Sequence, residues 1–101
     1  MTMKERAPEM ESWLRTKFPE DRLSVRPYGR SLTIAAVLAD GNLDPLVRIR
    51  EARPGFFDLL YMRHTGQWEE IPPLSGRWDQ VLQALDEDPV GLFWIGLGSR
   101  G

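Results

Sequence analysis

Apolar positions change their period along this chain, and each change marks an element. Met10, Trp13, Leu14 and Phe18 recur at i, i+3, i+4 and i+8, which places them on one face of a helix. Pro8 suits a first helical turn, because its φ is fixed and it has no N–H to satisfy. The helix is therefore predicted to start at Pro8 and to stop at Pro19. Thr2 and Glu5 have capping-box spacing, which offers an earlier start. That start would enclose Pro8 at a cost of roughly 3 kcal/mol, so the later one is preferred. Residues 1–7 (MTMKERA) are polar and expected to be disordered.

Beyond Pro19 the period becomes two. Strands are predicted at 22–28, 31–39, 45–52, 56–63 and 67–71, joined by short turns at Gly29, Asp40-Gly41-Asn42, Arg53-Pro54-Gly55 and Thr65-Gly66. Short connections favour antiparallel neighbours over crossovers, so the strands form a meander. Pro72-Pro73 breaks the sheet. A second helix is predicted from Gly76 to Glu87, with Ser75 as N-cap and Trp78, Val81, Leu82 and Leu85 as its apolar stripe. Pro89 ends it, and an apolar, glycine-punctuated tail runs from Val90 to Leu97.

Strand parity sorts the sheet into two faces. Leu23, Val25, Leu32, Ile34, Ala36, Leu38, Val47 and Ile49 form an apolar set, against which both helices are expected to pack. Ser24, Arg26, Tyr28, Ser31, Thr33, Arg48 and Arg50 form the opposite, solvent-facing set. The fourth strand is apolar on both sides, with Phe57, Leu59 and Tyr61 on one and Phe56, Leu60 and Met62 on the other. Its second side needs a cover, either the C-terminal tail or a partner subunit. The fold class is α+β: a single domain over 1–101, with an N-terminal helix, an antiparallel meander of four to five strands, and a C-terminal helix.

Composition narrows the chemistry. The 101 residues include no cysteine, which removes disulfides, thiol catalysis and cysteine-ligated zinc. Hydrophobic residues make up 42% of the chain, including four tryptophans, enough for a core without staples. No apolar run approaches the ~20 residues that span a bilayer. No basic, apolar, small-residue leader pattern opens the chain, so a soluble cytoplasmic protein without membrane partners is expected. The formal charge of −2 argues against nucleic acid as the main ligand, although a local patch keeps that alternative open.

Several groups of side chains have both a chemical and a plain structural reading. Arg26, Arg48 and Arg50, with Tyr28, could pair with phosphate or carboxylate and stack a base, or simply make ion pairs on a solvated sheet. Asp86, Glu87 and Asp88 diverge by about 100° per residue around a helix, so they do not converge on a cation, and no metal is expected. Asp88 sits against the helix dipole, which implies that it accepts a specific backbone or arginine hydrogen bond. His64 is the single histidine and lies in a turn. Glu69 and Glu70 fall on opposite faces of an edge strand, where charge discourages aggregation. Phe93 and Trp94 seal the core, line a small-molecule pocket or, with Phe56, Leu60 and Met62, form an interface with a second copy or a partner.

The residues Asp88-Pro89-Val90-Gly91-Leu92-Phe93-Trp94 resemble the ending of a family of short bacterial domains of unknown function, which close on Asp-Pro-x-Gly-(Ile/Leu)-Phe-Trp. Pro45-Leu46-Val47-Arg48-Ile49-Arg50 is similar to that family's apolar-Arg-apolar-Arg strand, Leu60-Tyr61 to its Leu-Tyr strand, and Gly66-Gln67-Trp68 to its Gly-x-Trp turn. The likeness is strongest over residues 44–96. Met62 stands where the family tends to have Trp, and Glu69-Glu70 where it often has an aromatic or histidine pair. The resemblance implies one compact α+β domain and no particular activity.

No convergent nucleophile, base and oxyanion donors are evident, so the sequence favours a non-enzymatic interaction module with no cofactor. Two alternatives stand beside it: an anion or nucleic-acid binder using Arg26, Tyr28, Arg48 and Arg50, and an enzyme whose site assembles at a homodimer interface.

Overall fold

The computed structural model describes residues 1–95 and 97. Its order is helix α1 (Met3–Lys17), strands β1 (Leu23–Tyr28), β2 (Ser31–Val37), β3 (Leu43–Arg53), β4 (Phe56–Met62) and β5 (Trp68–Glu70), a 3-10 turn (Pro72–Leu74) and helix α2 (Trp78–Glu87). The five strands form one antiparallel sheet in sequence order. This is the predicted α+β meander.

The first helix corrects the expected start. It begins at Met3 and encloses Pro8. Thr2 Oγ1 accepts from the Glu5 N–H at 3.2 Å, and Glu5 Oε1 accepts from the Thr2 N–H at 2.7 Å. Two otherwise orphaned donors are thereby satisfied. The added turn also buries Met3 and Ala7, which continue the stripe of Met10 and Leu14. Burial and capping together outweigh the hydrogen bond that Pro8 removes. Residues 3–7, expected to be disordered, are thus part of the helix.

Both helices pack on one side of the sheet. Their buried residues share a single core with Leu32, Ile34, Ala36, Val47, Ile49, Phe57 and Leu59, the side that parity predicts. Leu38 departs from it: β2 ends at Val37, and Leu38 is an exposed turn residue that hydrogen-bonds Asn42 and Gly41. Pro45 sits in the central strand, where proline ordinarily removes a ladder bond. The register there shifts between Ile34 and Ala35, leaving Leu46 as an extra residue on β3. A bulge is where a strand accommodates proline. Pro27 lies on the edge strand β1, which also tolerates it.

The second helix starts at Trp78 with Arg77 as N-cap, rather than after Ser75. Arginine has no acceptor, so the cap comes from Gln80, whose Oε1 accepts from the Arg77 N–H at 2.8 Å. Gln80 folds back over Gly76, where any Cβ would collide with its side chain. Gly76 also bridges to Phe57 through two backbone hydrogen bonds, of 2.8 and 3.0 Å, pinning the loop to β4.

The tail closes the core. Asp88 takes a left-handed conformation (φ 44°), and its Oδ1 accepts from the N–H groups of Leu92 and Phe93 at 3.1 and 3.3 Å. Gly91 (φ 69°) completes the turn, its N–H donating to the Asp88 carbonyl. Phe93 is then fully buried, and Trp94 packs against Trp13 and Phe18 while its indole N–H donates to the Leu85 carbonyl at 2.7 Å.

Candidate functional site

One face of the sheet carries both helices; the other carries neither. On that open face, cross-strand register sets side chains in rows. One row runs Arg26, Thr33, Arg48, Leu60, Glu70 across all five strands. A second runs Tyr28, Ser31, Arg50, Asp58. Met62 and Trp68 pair in a third.

The three arginines of this face differ in their surroundings. Arg50 donates to Asp58 Oδ2 at 3.0 Å and also to Glu70, its diagonal neighbour two strands away. Asp58 in turn accepts from Ser75 Oγ at 2.8 Å. Burial alone would push the Asp58 carboxyl up. The hydrogen bonds from Arg50 and Ser75, with the charges of Arg50 and Arg53, outweigh it and hold the group below its usual value. The hydrogen bonds to Glu70 and Asp58 raise the Arg50 guanidinium further. Arg50 is therefore the centre of a closed ion-pair network, in which the Asp58 carboxylate is held ionised.

Arg48 is held differently. Its Nε donates to Thr33 Oγ1 at 3.0 Å, and its guanidinium lies over the Trp68 ring at 4.4 Å. Among the described residues no carboxylate forms an ion pair with it. One of its five donors is engaged and its plane is fixed, while its remaining edge carries uncompensated charge. Arg26 is exposed, and it too has no ion pair among the described residues. Tyr28, on the same strand and face, is 86% exposed.

The four candidates Arg26, Tyr28, Arg48 and Arg50 thus share one face. Thr33 joins them as strand parity predicts, whereas Asp58, Glu70 and Trp68 are not assigned to this face by the sequence pattern. The signal was present: a tight Arg53-Pro54-Gly55 turn folds β4 back so that Asp58 opposes Arg50, but the bulge between Glu51 and Arg53 sets that register. Of the interface candidates, Phe56, Leu60 and Met62 lie on the open face, Phe56 beneath the Arg53 guanidinium at 4.2 Å. Phe93 and Trp94 are in the core instead.

Other polar groups have local duties. Asp86 pairs with Lys17 at 3.0 Å, Glu69 with Arg63 at 3.3 Å, and Asp79 with Arg77 at 3.6 Å. His64 lines a groove of about 340 Å³ with Tyr61, Met62, Arg63, Leu92 and Ile95. Among the described residues no three His, Asp or Glu side chains are grouped to hold a metal ion, and no helix is long and apolar enough to cross a membrane.

Fold and site together define a small α+β domain with a half-covered sheet. Residues 1–95 match the model of the family described as Domain of unknown function (DUF3024), and the chain belongs to that family. No curated protein and no solved structure matches it.

Proposed function

We propose that this protein is a non-enzymatic binding module that works through the open face of its sheet. The observation that carries the reading is Arg48: a guanidinium locked between Thr33 and Trp68, with its outer edge uncompensated. A side chain fixed in this way loses little conformational entropy when a ligand arrives. The acidic groups beside it support binding over catalysis, since Asp58 is held ionised by Arg50 and is a poor proton donor near neutrality. The expected compartment is the cytoplasm, which cell fractionation checks.

The test is site-specific photo-crosslinking in cells that naturally make the protein. A benzoylphenylalanine replaces Ser31 on the open face in one variant and the exposed Arg15 on α1 in another. A discrete adduct from position 31 that is absent from position 15 is expected. No adduct at position 31, or equal adducts at both, overturns the reading.

A second reading rests on Phe56, Leu60 and Met62. They lie on the same face; Leu60 is already buried within the chain, while Phe56 and Met62 are half-buried, and a second copy of this chain could cover those two as an isologous homodimer. Native mass spectrometry of the wild type and of Met62→Glu decides: a dimer lost in the variant supports it, and a monomeric wild type sinks it.

A further inference from the structure

We infer that Arg48 and Arg26 receive carboxylates, and that the occupant of the open face is a protein segment presenting Asp or Glu side chains. This rests on the open face being the working surface and names what that surface binds.

The positive charge of the face is unevenly spent. Arg50 is met by two carboxylates, Asp58 and Glu70, and offers no free positive charge. Arg26 and Arg48 occupy the same cross-strand row on either side of Thr33. Their backbones are therefore about 10 Å apart, two strand spacings. Alternate residues of an extended strand stand about 7 Å apart on one face, within the reach of two long side chains. An acidic segment can thus meet both guanidiniums at once.

Arg48 is suited to a carboxylate. Stacking on Trp68 and the bond to Thr33 orient its plane, and a guanidinium edge matches a carboxylate bidentately. The guanidinium is weakly hydrated, so its desolvation costs less than that of an ammonium.

Nucleic acid fits the face less well. Trp68 and Phe56 already carry arginines over their rings, which leaves Tyr28 as the one freely exposed aromatic of the three. Arginine, tyrosine, tryptophan, phenylalanine and methionine around a partly apolar centre match the composition of protein–protein interfaces.

The experiment follows the arginine Nε–Hε and tryptophan indole signals of the isotope-labelled full chain by NMR. The probes are a decaglutamate peptide and an oligothymidylate of the same length. Decaglutamate is expected to shift the Arg48, Arg26 and Trp68 signals saturably. Arg48→Gln should weaken binding about tenfold or more, and Arg48→Lys should not restore it. Arg26→Gln, an exposed change that leaves the core untouched, should weaken it independently, so the test survives a misfolded Arg48 variant. Three results overturn the inference: no shift at these signals, shifts that persist in both glutamine variants, or tighter binding of the oligothymidylate. Each is compatible with an open-face adduct at position 31, so failure here is distinct from failure of the binding-module reading.

Discussion

Asp88 does at one residue what a helix end usually needs glycine to do. Its left-handed backbone is tolerated because asparagine and aspartate lose less there than other side chains. Its carboxylate then seats the two N–H groups that begin the tail. Asp88→Asn keeps both the tolerance and an acceptor and should cost well under 1 kcal/mol. Asp88→Ala removes the acceptor and should cost about 2 kcal/mol, read as a lower urea midpoint. Asp58 gives a pH prediction. Its folded value lies below the ordinary 3.8, so the unfolded chain binds its proton first as pH falls. The stability from the Arg50–Asp58–Ser75 contacts is therefore present above about pH 4 and lost as pH drops through the folded value. Urea midpoints measured from pH 7 to pH 3 should fall, and Asp58→Asn should flatten part of that fall while lowering the midpoint at pH 7.

At the scale of elements, α1 carries an internal cost that a substitution can remove. Pro8 is exposed, so its ring contributes little packing, yet it deletes the bond to the Lys4 carbonyl. Pro8→Ala should stabilise the protein by about 1–2 kcal/mol after the greater entropy of the unfolded alanine chain is counted. Calorimetry should show Tm rising by about 4–8 °C per kcal/mol; no rise would mean that the helix has already relaxed around the ring. The same proline shows where sequence reading stopped. The local cost of Pro8 was legible, but what Met3 and Ala7 would bury was not, because that depends on the sheet beneath them. Sheet faces were legible for the opposite reason. A period of two survives any register, so Leu32, Ile34, Val47 and Ile49 sorted correctly. Pairing across strands did not survive the two bulges, and so Asp58 and Glu70 were not matched to Arg50. Ser75 carries a good cap residue type, yet its hydroxyl goes to Asp58 and the cap falls to Gln80.

At the scale of the whole molecule, the tail decides whether there is a fold to speak of. Phe93 is completely buried and Trp94 nearly so, and between them they touch α1, α2 and each other. Removing one such aromatic typically costs about 3–5 kcal/mol. A domain of this size is stable by about 5–15 kcal/mol in total. A chain truncated after Gly91 loses both, and its stability should fall to near zero. It should show collapsed amide dispersion by NMR and no near-ultraviolet circular dichroism. A chain truncated after Leu97 keeps every tail contact described above and should stay folded. The comparison separates two roles for the tail. An interface element detached from the core would leave the shorter chain folded and change only its association. A core element unfolds it, and then the surface open to a partner is the arginine-bearing sheet face, with Phe56 and Met62 at its margin.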